Sequence, residues 1–292
     1  MRISRYWEIL NAQNSKQLSA YGYDNFKRTL ALNYFTWTDL PWTAKVRFLV
    51  RHTSVSNTFK NMVKAIRVGR HKYFNWLQSL SYNFLTLMTW DYMERKVPEF
   101  IWRDLEEPKE GNPPAVYLKG KLVSQDLANS SLEVYSMIDD KLMPASVLEL
   151  GAGYGRTAFV LLKKFPQLKY IVVDIPPALD VCKKYLNSQF TGRDITFLTP
   201  DDLALLPDKS IDLFINISSL HEMLPEEIKK YFDQIDRLSK YFYFKQWKVS
   251  KIPYDNIVIR ESDYPIKNSW EKIYHRNCAV QADFFEAMYK IC

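Results

Sequence analysis

The chain has 292 residues, 47% of them hydrophobic and 15% aromatic, a composition that excludes a disordered or fibrous protein. Its 40 lysines and arginines exceed its 33 acidic residues, which gives a formal net charge of +7 at pH 7. The 3 cysteines share no metal-ligand spacing, so they favour reduced thiols in a cytoplasmic protein over a disulfide framework. The first residues contain no apolar segment of the kind found in secretory signals, which agrees with that location.

The excess positive charge lies in the first 100 residues, which hold 15 basic and 6 acidic side chains against 25 and 27 in the remainder. One interpretation is a solvated helical surface. The other is a surface that attracts an anion such as a sugar phosphate, a nucleotide sugar, a lipid-linked diphosphate or a nucleic acid. The basic residues concerned include Arg47, Arg51, Lys60, Lys64, Arg67, Arg70 and Lys72.

Residues 1–137 are predicted to form a mainly helical domain that binds the substrate or a partner, or covers the active site. Residues 73–90 lack charged side chains but are rich in polar ones, so we expect a buried or partner-facing helix and no transmembrane segment. Asn112-Pro113-Pro114 marks a loop, which a short extended piece and a connecting helix follow. Peripheral contact with a membrane and a homodimer formed through the aromatic helices both remain open.

From Ser146 onward, short apolar runs alternate with amphipathic segments, a pattern typical of a mostly parallel sheet. The tail from Ile252 predicts two more strands. Residues 138–292 are therefore expected to form a Rossmann-like α/β domain with helices on both faces of the sheet. The predicted elements before the tail are strand 146–151, helix 156–165, strand 169–175, helix 178–190, strands 195–200 and 211–218, helix 225–238 and strand 241–247.

A glycine-rich loop follows the first of these strands. Gly151, Gly153 and Gly155 lie between a strand and a helix, where glycine lets the backbone approach a ligand and turn tightly. A dinucleotide fingerprint has the spacing G-x-G-x-x-G, whose third glycine packs the helix on the strand. Here Arg156 occupies that third position, which argues against NAD as the cofactor.

Acidic residues follow the next two strands. Asp174 ends the second strand, a place from which a carboxylate can accept hydrogen bonds from both hydroxyls of a ribose. Asp201 and Asp202 follow the third strand, where a carboxylate could meet an adenine amino group. The alternative for Asp174 and Asp201 is a helix cap, and the two roles can coincide.

At this point the chain resembles class I S-adenosylmethionine-dependent methyltransferases. VLELGAGYGR, VVDIPP and TFLTPDDL resemble the first three motifs of that superfamily, in the expected order. The resemblance implies S-adenosylmethionine as cofactor, with Glu149, Gly151 and Gly153 bordering its methionine moiety, Asp174 its ribose and Asp201 its adenine. Four neighbours of these positions and of the fourth strand are expected in the same site: Ala152, Ile175, Asp202 and Ser218.

A narrower resemblance is to bacterial sugar O-methyltransferases associated with polysaccharide biosynthesis. It rests on SQDLANSSLEVY, on INISSLHEM and on the YF pair that follows. It implies methylation of a sugar hydroxyl, on a nucleotide sugar or a surface glycan, in the cytoplasm or at the inner face of its membrane. Gln125, in the first segment, is expected to form a wall or lid over the cofactor. The alternative is an ordinary helix start capped by Ser124 or Asp126.

The fourth strand leads into the candidate catalytic residues, His221 and Glu222. An alcohol is a poor nucleophile until its proton leaves, so a general base at the carboxyl edge of the sheet is useful. Histidine, with an unperturbed pKa of about 6.5, suits that role near neutral pH. Glu222 could orient the ring or act as the base itself, and the alternative is that both residues merely cap the next helix.

Other functions stay open at this level. An RNA methyltransferase would use the basic first third as its binding surface, but Asn216-Ile-Ser-Ser differs from the Asn/Asp-Pro-Pro-Tyr/Phe run of many base methyltransferases. A nucleic-acid partner is therefore disfavoured. A scaffold with the fold but without the chemistry is a third possibility, which the intact glycine loop and Asp174 disfavour. The sequence has no zinc motif and no carboxylate triad, so we expect no metal.

Overall fold

The computed structural model describes residues 3–30, 44–64, 76–138 and 142–292, so the predicted anion-attracting residues Arg67, Arg70 and Lys72 lie outside it. The chain divides into two compact units. The helical unit comprises Lys16–Asp139 and Phe159–Lys164. The α/β unit comprises Met1–Ser15, Asp140–Ala158 and Phe165–Cys292. None of the helices in the described ranges is long and apolar enough to cross a lipid bilayer.

The first 15 residues belong to the α/β unit, whereas the sequence interpretation placed them in the N-terminal domain. The carboxylate of Asp255 accepts hydrogen bonds from the backbone N–H groups of Arg5 (3.2 Å) and Tyr6 (3.1 Å). The Ser4 hydroxyl donates to the backbone carbonyl of Glu222 (3.1 Å). These contacts join residues about 220 to 250 positions apart, so no local sequence pattern could reveal them.

The helical unit is mainly helical, as predicted, and the expected extended piece is one strand of a small hairpin. Ser124 caps the helix that follows this hairpin, because its hydroxyl accepts a hydrogen bond from the N–H of Leu127 (3.0 Å). The elements are α1 (Arg5–Tyr21, which starts in the α/β unit), α2 (Phe26–Leu30), α3 (Ala44–His52), α4 (Val55–Lys64), α5 (Trp76–Lys96), α6 (Glu99–Trp102), β1 (Val116–Leu118), β2 (Lys121–Val123) and α7 (Gln125–Met137).

The α/β unit contains a seven-stranded sheet in the order β5-β4-β3-β6-β7-β11-β10. The pairs from β5 to β7 are parallel, and β11 is antiparallel to both of its neighbours. This arrangement confirms the predicted Rossmann-like class. The elements are β3 (Ser146–Leu150), α8 (Arg156–Lys164, which starts in this unit and continues into the helical unit), β4 (Lys169–Val173), α9 (Ala178–Gln189), β5 (Ile195–Leu198), β6 (Ile211–Ile217), α10 (Pro225–Leu238), β7 (Ser239–Trp247), β8 (Val249–Ile252), β9 (Ile257–Arg260), β10 (Glu271–Asn277) and β11 (Phe284–Lys290).

The tail contains more than the two predicted strands. β10 and β11 extend the sheet, but β8 and β9 form a separate antiparallel hairpin. Tyr254 and Asn256 in its turn have φ values of 68° and 54°. Left-handed backbone at a tyrosine is uncommon, which is why the periodicity of this segment did not predict a tight hairpin.

Buried aromatic rings hold β6, β7 and α10 together. Phe232 of α10 is 1% exposed, and its ring stacks on that of Trp270 with centroids 5.8 Å apart. Phe242 and Phe244 of β7 pack edge-on against the ring of Phe232. Burial of one such side chain stabilises the fold by about 1.5–3 kcal/mol. The cluster therefore holds α10 against the sheet.

Candidate active site

A pocket of about 440 Å³, including space open to solvent, lies at the carboxyl ends of β3 to β6 within the α/β unit. Ligands of open parallel sheets bind at this edge. Residues from the start of the chain and from α10 complete its wall. The lining residues are Ile3, Ser4, Trp7, Leu150, Gly151, Asp174, Ile175, Pro200, Ser219, Met223, Glu227 and Tyr231.

The glycine loop is packed so closely at Gly151 and Gly155 that a side chain at either position would collide with its neighbours. Gly151 has φ 73°, and a Cβ atom there would lie 2.3 Å from the Oγ atom of Ser219. Gly155 has φ 91°, and its Cβ would lie 3.0 Å from the Sγ atom of Cys182 on α9. The loop backbone is therefore bare on the pocket side, and Gly155 packs the loop against the neighbouring helix.

Asp174 lines the pocket with a buried carboxylate. Its two oxygens accept hydrogen bonds from the N–H groups of Gly153 (2.8 Å) and Ile175 (2.7 Å). Burial raises the pKa of Asp174 to about 7, the charge of Glu222 adds to this rise, and the two N–H donors oppose it. A carboxylate oxygen can accept two hydrogen bonds, so each oxygen keeps capacity for a hydroxyl donor. This chemistry fits a ribose.

His221 and Glu222 lie in a short 3₁₀ helix, Leu220–Glu222, directly after β6. The Nε2 atom of His221 is 3.3 Å from the Oε1 atom of Glu222, so the structure brings the two predicted catalytic residues together. The Nδ1 atom lies 2.9 Å from the Oε1 atom of Gln246 on β7. His221 is 4% exposed and does not line the pocket, but Ser219 and Met223 on either side of the pair do.

Three other predicted residues surround the glycine loop. Ile175 lines the pocket, and the carbonyl of Ala152 accepts a hydrogen bond from the N–H of Gly155 (2.9 Å). Glu149 is 2% exposed, and its carboxylate accepts a hydrogen bond from the Tyr170 hydroxyl (2.6 Å). Glu149 is not a lining residue, and this contact gives it a supporting place within the sheet.

Three residues that follow β5 and β6 are predicted to bind the cofactor, and they have different surroundings in the structure. Asp202 accepts hydrogen bonds from the N–H (2.8 Å) and hydroxyl (2.7 Å) of Thr199, which lower its pKa, so Asp202 is the third residue of a capping box that starts at Thr199. Asp201 is exposed, next to the lining residue Pro200. Ser218 has φ 56° and its N–H donates to the carbonyl of Lys245, whereas the following residue, Ser219, lines the pocket.

Gln125 belongs to the helical unit. It is 2% exposed at the start of α7, and its Oε1 atom accepts a hydrogen bond from the ammonium group of Lys45 (2.7 Å). Its predicted place beside the cofactor therefore stays a prediction.

The sequence interpretation missed the lining residues of α1. The hydroxyl of Ser4 accepts a hydrogen bond from the N–H of Trp7 (3.3 Å) and so caps α1, and both residues line the pocket. The cap could have been predicted from a serine before a helical pattern, but nothing local indicates which pocket the helix adjoins.

The sheet order, the bare glycine loop and the acid after the second parallel strand define a class I methyltransferase fold. Residues 147–241 match the sequence family described as "Methyltransferase domain". This part of the chain is a methyltransferase domain, its cofactor is S-adenosylmethionine, and both predictions are confirmed. The residues present fit that cofactor, since Gly151 lines the pocket with bare backbone and Asp174 can accept hydroxyl donors.

The chain is similar to several solved structures at low sequence identity. They include a protein from Pyrococcus horikoshii (18% identity, covering 55% of this chain and 88% of that chain, TM-score 0.45). Another is the mitomycin 7-O-methyltransferase (15%, 58% and 55%, TM-score 0.47). A third is an S-adenosylmethionine-dependent methyltransferase from Clostridium acetobutylicum (15%, 56% and 90%, TM-score 0.46). No curated protein matches the chain significantly in sequence.

Proposed function

We propose that the protein is an O-methyltransferase that acts on a sugar hydroxyl of a nucleotide sugar or of a surface-polysaccharide glycan. The observation that carries the proposal is the His221–Glu222 pair, 3.3 Å apart and flanked by pocket-lining residues at the carboxyl edge of the sheet. A hydroxyl needs a proton acceptor before it can attack carbon, and this pair supplies one.

The cofactor is held by the loop after β3 and by the acids after β4 and β5. The backbone of Gly151, Ala152 and Gly153 would accommodate the methionine moiety, and Asp174 with Ile175 would hold the ribose. Asp201 would bind the adenine amino group, since the carboxylate of Asp202 already accepts two hydrogen bonds from Thr199. When bound, S-adenosylmethionine supplies an electrophilic methyl group.

The protein's own residues then orient the acceptor and remove its proton. Met223, Tyr231 and Trp7 give the pocket an apolar and aromatic wall, which suits the face of a sugar ring. The His221–Glu222 pair would accept the proton of the acceptor hydroxyl, whose oxygen would take the methyl group that the bound cofactor supplies, with S-adenosylhomocysteine as the leaving group. Because the nucleophile must lie in line with the breaking bond, these walls contribute by positioning.

Basic side chains of the helical unit support a phosphate-linked acceptor. Arg51 on α3 and Lys60 on α4 are exposed, in the part of the chain that carries the excess positive charge. Such side chains attract the phosphate of a nucleotide or lipid carrier. We place the reaction in the cytoplasm, at the inner face of the membrane where lipid-linked glycans are built.

The test uses S-adenosylmethionine with a deuterated methyl group. Purified protein is mixed separately with nucleotide sugars, lipid-linked oligosaccharides and total RNA, and the products are analysed by mass spectrometry. Label on a sugar hydroxyl supports the proposal, and label on RNA alone overturns it in favour of the RNA methyltransferase. Binding of S-adenosylhomocysteine without transfer to any acceptor favours the scaffold.

Two variants test in the same assay which residue of the pair takes the proton. His221→Asn and Glu222→Gln should each lower kcat, by about 10²–10⁴-fold for the residue that takes the proton, while S-adenosylhomocysteine still binds. Glu226→Gln, an exposed acid on α10, is the matched control and should leave kcat unchanged. Full activity in both site variants would remove the pair from the mechanism.

A further inference from the structure

We propose that Gln246 is a positioning residue that keeps the ring proton of His221 on Nδ1 and thereby presents Nε2 to Glu222. The place of the proton follows from hydrogen bonding alone. Its use in catalysis rests on the function proposed above.

The argument starts at the backbone carbonyl of Leu150, at the end of β3, because a carbonyl oxygen can only accept. The Nδ2 atom of Asn216 on β6 lies 2.8 Å from this carbonyl oxygen, so the –NH₂ group of Asn216 must face it. The Oδ1 atom then faces the other way, where it accepts the N–H of Leu220 (3.2 Å). The Leu220 N–H, which can only donate, fixes the same orientation independently.

The orientation of Asn216 determines that of Gln246. The Oδ1 atom of Asn216 also accepts a hydrogen bond from Nε2 of Gln246, so the –NH₂ group of Gln246 faces Asn216. Its Oε1 atom therefore faces His221, where it accepts the backbone N–H (3.4 Å) and meets ring atom Nδ1 at 2.9 Å. An acceptor opposite Nδ1 requires a proton on Nδ1.

Burial makes this assignment strict. Asn216 and Gln246 are 0% exposed and His221 is 4% exposed, so water cannot replace a lost partner. Reversing either amide would place donor against donor or acceptor against acceptor, and a buried polar group without a partner is costly. The hydrogen bonds from Leu150 through Asn216 and Gln246 thus fix which atom of the Gln246 amide faces the His221 ring.

The consequence lies on the other side of the ring. With Nδ1 bonded to Gln246, Nε2 is the ring atom that faces Oε1 of Glu222, 3.3 Å away, and a proton shared between these two atoms satisfies both of them. A proton taken from an acceptor hydroxyl would lie between these two atoms. The resulting imidazolium would donate to Glu222 and to Gln246 without any reorientation, so the pair can accept a proton in place.

The direct test is nitrogen NMR of the protein labelled with ¹⁵N-histidine. The signal of His221, identified by its absence in His221→Asn, should show a protonated Nδ1 in the wild type. In Gln246→Met, which removes the acceptor, the ring should shift towards the tautomer protonated on Nε2. Gln246→Glu keeps an oxygen acceptor and should retain the Nδ1 proton, and Gln189→Met on α9 is the matched control. A wild-type ring protonated on Nε2, or an unchanged ring in Gln246→Met, would overturn the proposal.

A kinetic measurement separates this proposal from the function above. Once an acceptor is known, Gln246→Met should lower kcat about two- to tenfold, the factor that one neutral hydrogen bond is worth, with KM unchanged. If the tautomer changes in Gln246→Met but His221→Asn transfers methyl groups normally, the positioning of the ring stands and the catalytic role fails. If Gln246→Met does not fold, the wild-type spectrum alone still shows which ring nitrogen carries the proton, and a proton on Nε2 without one on Nδ1 overturns the proposal.

Discussion

Replacing Gly151 by alanine tests whether the loop after β3 is as closely packed as the structure shows. Two costs add at this position. An L-residue at φ 73° is strained by about 1–2 kcal/mol. The new Cβ would also lie 2.3 Å from Oγ and 2.5 Å from Cβ of Ser219, overpacking that costs about 1–3 kcal/mol. Gly151→Ala should therefore lower the free energy of unfolding by about 2–5 kcal/mol.

Gly192 provides a matched control in the same unit. It has φ 72°, and a Cβ atom there would meet nothing within 4 Å. Gly192→Ala should thus cost only the backbone strain, about 1–2 kcal/mol. The difference between the two variants measures the collision with Ser219, and Ser219→Gly introduced beside Gly151→Ala should recover most of that difference.

The assay is urea unfolding followed by tryptophan fluorescence, with S-adenosylhomocysteine binding measured by calorimetry. Gly151→Ala should weaken binding at least about tenfold, the effect of roughly 1.4 kcal/mol, because Ser219 or the loop must move into the pocket. Gly192→Ala should bind like the wild type. If both variants unfold at the same urea concentration and bind S-adenosylhomocysteine equally, Gly151 is not packed closely against Ser219 and the prediction is wrong.

Three further predictions concern other parts of the α/β unit. Ribose hydroxyls favour the ionised carboxylate of Asp174, so S-adenosylhomocysteine binding should strengthen as pH rises to about 7 and then level off. Calorimetry across this pH range should show no such rise for Asp174→Asn, and a pH-independent wild type would contradict the model of this site. Phe232→Ala should lower the free energy of unfolding by about 3–5 kcal/mol because the ring is buried against Trp270; a loss below about 1 kcal/mol in urea unfolding would place the ring outside the core. Asp255→Ala should destabilise the first turn of α1 by about 0.5–2 kcal/mol, seen as faster amide exchange at Tyr6, and unchanged exchange would refute the contact.

The central elements of the α/β unit could be predicted because each carries a complete local signal. The helix predicted at 178–190 is Ala178–Gln189, and the strand predicted at 211–218 is Ile211–Ile217. Apolar periodicity and a proline start determine such elements within their own length. The hairpin of β8 and β9 lacks that signal, because its turn depends on left-handed Tyr254 and Asn256.

The candidate site was predictable where a residue type implies its own geometry. Gly151 and Asp174 lie in the pocket because a bare loop and an acid at a strand end are local features. Choices between neighbours were not predictable: Ser219 lines the pocket and Ser218 does not, since a left-handed residue 218 rotates the chain. The role of Gln246 depends on partners from three other segments and has no sequence signature.

The bond from α1 to Asp255 also has a consequence for how the protein is made. Arg5 is synthesised 250 residues before its partner, and at typical translation rates that interval is roughly 10–50 s. During this time the N–H groups of Arg5 and Tyr6 lack their native acceptor, and the pocket that Trp7 will line does not yet exist. The α/β unit is thus assembled from segments 250 residues apart in the chain, and its folding can be completed only after Asp255 and the later strands β10 and β11 have been translated.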